Sequence, residues 1–498
     1  VEDAMRSDDF TGMIAQARKA LFAPSVAAAI SQGGEVTYCT EGRRGLLGGT
    51  VDEHTVYPIA SASKAFIAAC VMMLVDEGVL EFDAPVKRYL PQFELFTPEL
   101  TEQLTIHDML SHRSGLPRHD ATLFTRADAT LEETVEYMRW LEPCWGLRER
   151  FYYQNHMFAL ASLLVERVSG KPWADVIRER IFEPLGMTRS YTEWQAFRRY
   201  DDNYARPLST VGRVSLPIPS ITTDALACAG SLSTSVHDLL RWGQANLELY
   251  RSYTSAAEGA KAQESGLSLS ISLPTAHELH RPQTPIRSGE MEPFDTPFID
   301  EYSYGLGWFV ETYRGVPLIQ HGGSINGFKS IVAFMPEQDC AMALLVNQNT
   351  SLLPTLALRL VADAVLDAEP YDWQGFFSKF ATERRAKTQR EYHEGIARGR
   401  KPLPPGGAGT YRHPAYGTMR IMHDLDGPHL RYGRMSHRLR PGTKAPWVID
   451  TGVMRQAVPC GFEGSPPVFS AWLEEELKTP IRFERVSETG KEAEAKRP

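Results

Sequence analysis

The chain changes from a strand-like to a helical pattern within Val56-Tyr-Pro-Ile-Ala-Ser-Ala-Ser-Lys-Ala-Phe-Ile-Ala-Ala-Cys-Val-Met-Met-Leu-Val75. From Phe66 onward, apolar residues recur at helical spacing, and Gly78 ends the run. The pattern predicts that Ser61 lies where a strand-like segment ends and an apolar helix begins. Positions three apart share one face of a helix, so the amine of Lys64 can reach the hydroxyl of Ser61.

Ser61 and Lys64 have the chemistry of a nucleophile and a base. A serine hydroxyl attacks well only when a neighbouring base takes its proton, and a lysine serves as that base when burial or nearby positive charge lowers its pKa. The N–H of Ser61 at a helix start could also donate to an oxyanion. The alternative is a helix-start serine with a solvated lysine, because about one such spacing is expected by chance in a chain of this length.

Tyr153-Gln-Asn155 precedes a second apolar helix. Its phenol can relay a proton if cationic neighbours lower the phenol pKa, and its amide can orient Lys64 and bind a substrate amide. Taken alone, the motif fits better an aromatic core edge with a helix-capping asparagine.

His321-Gly-Gly-Ser324 follows a strand-like segment. The glycines, including Gly323, would let a substrate lie against the strand edge, and the N–H of Ser324 could be a second oxyanion donor. His321 could supply a positive or hydrogen-bonding group near Tyr153. The alternative is a strand followed by a Gly-Gly turn.

In this order and spacing, the three motifs resemble the Ser-x-x-Lys, Tyr-x-Asn and His-x-Gly signature of serine β-lactamases and penicillin-binding proteins. The resemblance is closest to the branch of class C β-lactamases, DD-peptidases, D-aminopeptidases and related esterases, and it covers about residues 21–366. Four further segments look like recurrent parts of that branch: 104–117, 184–187, 229–235 and 304–308.

This resemblance implies an acyl-enzyme mechanism. Ser61 would attack a carbonyl, with Lys64 and Tyr153 sharing the proton relay. The N–H groups of Ser61 and Ser324 would hold the oxyanion. The implied substrate-binding residues are Asn155, His321, Gly323 and Ser324.

The histidine at position 321 stands where β-lactamases of this branch carry lysine. That departure favours amide bonds of small peptide-like or D-amino-acid substrates over β-lactams. An esterase or acyltransferase of the same family, and a penicillin-binding protein without turnover, remain alternatives. Lys64 and His321 together would make the cleft locally positive.

The distribution of patterns predicts an α+β fold class. Strand character is expected at 25–30, 36–39, 304–310, 317–320, 330–334 and 341–347, and helices at 104–110, 158–168 and 352–366. Residues 202–225 and 252–300 look irregular. Strands at both ends of the first domain predict an antiparallel sheet flanked by helices, with an all-helical region inserted, as in the β-lactamase/transpeptidase fold.

Composition changes after residue 375. We predict a β-lactamase-like hydrolase domain over 1–375, a charged linker over 376–409, a small β-barrel over 410–486 and a disordered tail over 487–498. The barrel resembles the lipocalin-like domains appended to some hydrolases of this branch. We expect it to cap or narrow the cleft, or to mediate homo-oligomerisation.

The 498 residues carry 53 basic and 62 acidic side chains, a net charge of −9. This balance argues against nucleic-acid binding, and no apolar stretch approaches the roughly 20 residues of a membrane span. Scattered histidines and cysteines without ligand spacing predict no metal or other cofactor. The six cysteines include no Cys-x-x-Cys pair and are expected to be reduced, which together with the lack of a signal-peptide pattern favours a cytoplasmic location.

Overall fold

The computed structural model describes residues 5–193, 198, 201–211, 213–220, 224–257, 269–291, 296–433, 435–451 and 456–486. The predicted tail at 487–498 and part of the 252–300 segment lie outside these residues. Among the described helices, none has the length and apolar character needed to cross a membrane.

An antiparallel sheet forms the centre of the first domain. The strands of this domain are β1 (Ser25–Gln32), β2 (Glu35–Gly42), β3 (Tyr57–Pro58), β4 (Leu208–Val211), β5 (Val214–Pro217), β6 (Ser233–Thr234), β7 (Thr284–Pro285), β8 (Ile299–Tyr304), β9 (Phe309–Tyr313), β10 (Val316–Ile325), β11 (Phe328–Met335) and β12 (Cys340–Val346). In the described part of the chain, eight of them form one sheet in the order β2-β1-β12-β11-β10-β9-β8-β7. The predicted hairpin at 25–39 and the predicted sheet are confirmed.

Helices cover both faces of this sheet. The described helices are α1 (Ser7–Ala20), α2 (Lys64–Asp76), α3 (Pro98–Gln103), α4 (Ile106–Leu110), α5 (Thr122–Thr125), α6 (Leu131–Tyr137), α7 (His156–Ser169), α8 (Trp173–Ile177), α9 (Val236–Ala257), α10 (Leu273–His280), α11 (Leu353–Val365) and α12 (Trp373–Gly395). Successive side chains of β12 alternate between two cores: Leu345 packs in the core that contains α2 and α9, and Leu344 packs in the core that contains α1 and α11. The uninterrupted apolar run of β12 follows from this burial on both faces.

Four predicted segments differ from the structure. Residues 304–310 are not one strand, because the chain turns at Gly307 (φ +78°) between β8 and β9 and packs there against α2. The 202–225 segment contains the β4–β5 hairpin, and 252–300 contains α10, whose N-cap Ser272 and following proline are start signals that the composition obscured. The 317–320 strand continues through the Gly-Gly pair to Ile325 instead of turning there.

The C-terminal part is a closed barrel, as predicted. Its antiparallel strands are β13 (Gly409–His413), β14 (Gly417–Asp424), β15 (Gly427–Tyr432), β16 (Met435–Pro441), β17 (Trp447–Asp450), β18 (Ala457–Glu463), β19 (Val468–Ala471) and β20 (Ile481–Arg485). Alternate residues such as Met419 and Ile421 point inward and are fully buried. The predicted domain boundary at 375 falls inside α12, which leads from the first domain to the barrel.

Candidate active site

Ser61 lies in a tight turn that joins the strand-like segment to α2. A 3-10 turn spans Ala60–Ser63, and Ala60 has a positive φ of 47°. The turn is fixed from both sides, because Ser63 Oγ donates to the Ala60 carbonyl (2.6 Å) and Ser330 Oγ of β11 donates to the Ile59 carbonyl (2.7 Å). A strained backbone held by its surroundings in this way is common where a nucleophile is displayed.

Lys64 is fully buried beneath Ser61. Burial, followed by the positive charge of Arg118, holds the pKa of the Lys64 amine well below its usual range. Nζ lies 2.8 Å from Asn155 Oδ1, 2.7 Å from the Ala229 carbonyl oxygen and 3.2 Å from Ser61 Oγ. A neutral amine has two N–H bonds and one lone pair. The two carbonyl acceptors fix its hydrogens, so the lone pair is left for the hydroxyl proton of Ser61.

Tyr153 packs beside this pair, with its ring centroid 4.8 Å from Lys64 Nζ. Burial raises the pKa of the Tyr153 phenol, and the Ser61 hydroxyl and the Arg118 guanidinium only partly oppose the increase. The condition that cationic neighbours lower this pKa overall is therefore not met, although Arg118 acts in that direction. The phenol is a neutral group that can both accept and donate a proton, and its buried hydroxyl makes no hydrogen bond among the described residues.

Asn155 connects Lys64 to a charged pair that sequence analysis missed. Its Nδ2 donates to Asp120 Oδ1 (2.9 Å), and Asp120 Oδ2 accepts from Arg118 Nε (2.6 Å). Asn155 stands at the start of α7, but its side chain makes no capping hydrogen bond. The alternative role of a helix-capping asparagine is therefore not observed. The signal in the sequence was the pair Arg118 and Asp120, which directly follows the family-like segment 104–117.

His321 is buried, and both of its ring nitrogens are occupied. Nδ1 lies 2.7 Å from the Gly322 carbonyl oxygen, and Nε2 lies 3.1 Å from the Tyr304 hydroxyl. These contacts assign the proton to Nδ1. Burial and the nearby Lys64 amine lower the pKa of His321 to about 3. The expected positive charge on His321 is therefore wrong, whereas its alternative role as a hydrogen-bonding group is observed. Arg118 is a cation that lines the same cavity.

The segment from His321 to Ile325 offers a strand edge next to Ser61. Pairing between β9 and β10 ends at Phe309 and Gln320, whereas pairing between β10 and β11 continues to Ile325. One edge of residues 321–325 therefore has no strand partner among the described residues. Gly323 brings this edge against the turn of Ser61, since a Cβ there would lie 1.8 Å from the Ile59 carbonyl oxygen.

We expect Gly323→Ala to lower the free energy of unfolding by about 1–3 kcal/mol and kcat/KM by about 10²-fold, because the added methyl group forces β10 away from the nucleophile turn. Chemical denaturation and steady-state kinetics measure the two effects. Gly322→Ala is the matched control for stability, since its Cβ would lie at an ordinary 3.4 Å from the Ser330 carbonyl oxygen. Equal destabilisation by both changes would contradict this account.

A cavity of about 460 Å³ brings most of the predicted residues together. Those that line it are Ser61, Tyr153, His321, Gly323 and Ser324. Lys64 and Asn155 lie beneath its surface. In the described residues, no group of three or more His, Cys, Asp or Glu side chains is placed to hold a metal ion.

The barrel contacts the first domain beside this site. Tyr152, the neighbour of Tyr153, donates from its hydroxyl to Glu476 in the loop between β19 and β20. Glu474 of the same loop is buried, and this burial together with the charge of Asp120 raises its pKa to about 8. His119 Nδ1 lies 2.7 Å from the hydroxyl of Tyr416.

The fold and site together define a protein of the serine β-lactamase and penicillin-binding-protein class. The Beta-lactamase family model matches residues 10–366, and the chain belongs to this family. Family membership supports a hydrolase that acts through a serine.

Two relatives illustrate the range of the family. The chain is 26% identical over 439 residues to the unguisins hydrolase ungD' of Aspergillus campestris, covering 84% of this chain and 78% of that protein. It is 26% identical over 306 residues to penicillin-binding protein 4 of Amycolatopsis lactamdurans, covering 60% of this chain and 74% of that protein.

Two solved structures share the fold. The octameric penicillin-binding protein homologue from Pyrococcus abyssi has a TM-score of 0.62 and 21% identity, covering 96% of this chain and all (100%) of that one. The D-amino acid amidase from Ochrobactrum anthropi has a TM-score of 0.56 and 21% identity, covering 72% of this chain and 96% of that one. Likeness at this identity shows the fold alone.

Proposed function

We propose that the protein cleaves amide bonds of small peptide-like or D-amino-acid substrates through an acyl-enzyme on Ser61. The observation that carries this proposal is the buried amine of Lys64, whose Nζ lies 3.2 Å from Ser61 Oγ while two carbonyl oxygens occupy its hydrogens. Burial favours the neutral form of this amine, which is the state that a general base requires.

The reaction would proceed in two halves. Ser61 Oγ attacks the carbonyl carbon as its proton passes to Lys64, and the N–H groups of Ser61 and Ser324 donate to the oxyanion. Tyr153, as a neutral phenol, delivers a proton to the departing amine and takes one back from Lys64. Water then attacks the acyl ester, with the same groups accepting its proton and returning one to Ser61 Oγ.

Two features favour amides over esters. The free edge of residues 321–325 can pair with a peptide-like backbone, which a simple ester lacks. Asn155 and His321 are both retained, as in the amide-cleaving members that the sequence resembles. We assign to Asn155 the role of orienting Lys64. We assign to His321 the role of holding the strand edge in place through its contacts with Tyr304 and Gly322.

Turnover of matched substrates tests this function. We expect D-phenylalanine amide and D-alanine p-nitroanilide to be cleaved with kcat/KM at least about tenfold above their L-enantiomers. Turnover of p-nitrophenyl esters alone would favour the esterase alternative and contradict the proposal. A stable penicilloyl adduct without amide turnover would favour a penicillin-binding protein that does not turn over.

We also propose that the chain assembles into a homo-oligomer through its C-terminal barrel. The Pyrococcus abyssi homologue, which this chain matches over its whole length, is described as octameric. Light scattering coupled to size exclusion should give a mass that is a multiple of 55.8 kDa. A monomer over the accessible concentration range would contradict this assembly. The predicted cytoplasmic location stays a prediction.

A further inference from the structure

His119 lies between Arg118 and Asp120 in a backbone conformation that is rare for residues other than glycine. Its φ is +50°, in the left-handed region, and its side chain is buried. Such a conformation costs about 1–3 kcal/mol and persists only where the surrounding structure fixes it. The ion pair between Arg118 Nε and Asp120 Oδ2 spans this residue, so the conformation of His119 sets where both charged groups lie.

The polar groups of His119 are all paired, and two of the partners belong to the barrel. A carbonyl oxygen can only accept, so Nε2 donates to that of Glu142 (2.9 Å), and Nδ1 accepts from the Tyr416 hydroxyl (2.7 Å). Burial lowers the pKa of His119 to about 3, which agrees with a neutral ring. The backbone carbonyl accepts from Thr122 Oγ1 (2.7 Å), and the backbone N–H donates to the Glu474 carboxyl.

The two barrel residues come from separate loops. Tyr416 stands in the turn between β13 and β14, and this turn is tied to the first domain because Arg126 Nη1 donates to the Pro414 carbonyl oxygen (3.2 Å). Glu474 lies in the loop between β19 and β20, where only 6% of the residue is exposed. Two loops of the barrel therefore meet at His119.

The 118–120 segment reaches the active site from both of its ends. Arg118 lines the cavity, with its guanidinium carbon 5.1 Å from the ring centroid of Tyr153. Asp120 Oδ1 accepts from Asn155 Nδ2 (2.9 Å), and Asn155 Oδ1 lies 2.8 Å from Lys64 Nζ. A continuous chain of contacts thus joins the barrel to the amine that we assign as the general base.

We propose that Tyr416 and Glu474 of the barrel are positioning residues for the acylation of Ser61. They hold His119 in its left-handed conformation, and this fixes the polar network behind the Lys64 amine. The inference rests on the proposed acyl-enzyme function. None of the described residues that line the Ser61 cavity belongs to the barrel, so the influence of the barrel on the chemistry would pass through this contact.

Removing the Tyr416 hydroxyl tests the positioning role. Tyr416→Phe keeps the buried ring but leaves His119 Nδ1 without its donor. We expect the rate of fluorophosphonate labelling, and kcat for D-amino-acid amides, to fall about tenfold, with KM unchanged within about twofold because no cavity residue is altered. Tyr411→Phe is the matched control, since Tyr411 is equally buried and its hydroxyl donates to the Gly407 carbonyl oxygen within the barrel (2.9 Å).

Variants of Glu474 separate its hydrogen bond from its charge. Glu474→Gln keeps an acceptor for the His119 N–H and cannot ionise, so it should label at a rate near that of the wild type, whereas Glu474→Ala should lose about tenfold. Glu475→Ala is the control, because this neighbouring side chain is exposed.

The charge of Glu474 adds a second comparison. Burial and the negative charge of Asp120 raise its pKa to about 8, which favours the protonated carboxyl at pH 7. Above about pH 8, ionised Glu474 would repel Asp120, so the wild-type labelling rate should fall relative to that of Glu474→Gln. The titratable groups that face Glu474 are Asp120, Arg118, Glu476, Tyr416 and Cys144.

The pH profile of labelling distinguishes positioning from a merely structural contact. A loosened network admits water to the Lys64 amine and moves the Arg118 charge away from it, and both changes raise the pKa of Lys64 toward its usual value. We expect the acidic limb of the profile to shift to higher pH by about half a unit or more in Tyr416→Phe and in Glu474→Ala. The two control variants should keep the wild-type limb.

Three results would overturn the positioning role. They are wild-type rates and limbs in both Tyr416→Phe and Glu474→Ala, a lowered melting temperature with an unchanged rate per folded molecule, and a loss in Glu474→Gln as large as that in Glu474→Ala. Failure of the hydrolase function is recognised separately. If the wild-type protein is neither labelled nor able to cleave amides, that function fails and the positioning role falls with it; if the wild type is labelled, only the positioning role is at stake.

Discussion

Replacing Ser61 by alanine should abolish covalent labelling by a fluorophosphonate and lower kcat by about 10⁶-fold. The whole proposed pathway depends on one covalent bond from Ser61 Oγ to the acyl carbon. Lys64 Nζ lies 3.2 Å from that oxygen, and the ring of Tyr153 packs beside Lys64. Without the oxygen, only substrate binding and stabilisation of the oxyanion remain to accelerate the reaction.

Intact-protein mass after exposure to the reagent measures the labelling. Ser162→Ala is the control, since Ser162 is fully buried in α7, donates to the Phe158 carbonyl and does not line the cavity. We expect the control to label fully. Equal labelling of the Ser61→Ala protein, or an unlabelled wild-type protein, would remove the nucleophile assignment.

Local spacing was enough to predict the nucleophile pair. Ser61 and Lys64 are three residues apart, and an apolar helix after them ensures that the lysine is buried and the serine lies at the helix start. The strands were predictable for the same reason, because their periodicity is a property of neighbouring residues.

The polar network behind the pair was not predictable from spacing. Arg118, Asp120 and Asn155 meet through contacts between distant segments, and no local pattern records which side chains will face each other. The charge of His321 was mispredicted for a related reason. Its pKa depends on burial beside Lys64, which only the packed structure reveals.

The shape of the cavity also depends on long-range geometry. Residues 321–325 of β10 have one edge without a strand partner among the described residues, because β9 begins only at Phe309 and the preceding turn at Gly307 packs against α2. The sequence interpretation placed one strand over 304–310 and so closed this opening. The sequence analysis therefore did not predict that Arg359 lines the same cavity as Ser61.

Replacing Lys64 by methionine should lower kcat/KM by about 10³–10⁴-fold without loss of stability. Methionine fills a similar apolar volume but cannot accept the Ser61 proton. Burial depresses the pKa of Lys64 in the native fold, so between the folded and unfolded pKa values the amine must give up a proton that it keeps in the unfolded chain. This cost to stability falls as pH rises through the interval between the folded and unfolded pKa values.

The methionine variant removes that cost, which offsets the loss of hydrogen bonds to Asn155 and Ala229. We therefore expect a melting temperature equal to or above that of the wild type, measured at pH 7. A large fall in melting temperature would indicate that Lys64 is bound as a charged ammonium, and that it is not the base.

Lys64→Arg separates the role of a base from the role of a fixed charge. Arginine keeps the positive charge and the donors but does not deprotonate in proteins, so it should lose as much acylation rate as methionine does. In the wild-type enzyme, the acylation rate should rise with pH and reach its plateau well below the usual lysine pKa, because Lys64 becomes competent on losing its proton. Stopped-flow measurements over this pH range give the acylation rate of the arginine variant and the pH dependence of acylation by the wild-type enzyme. Substantial acylation by the arginine variant would indicate that Lys64 stabilises the oxyanion electrostatically and that Tyr153 is the base.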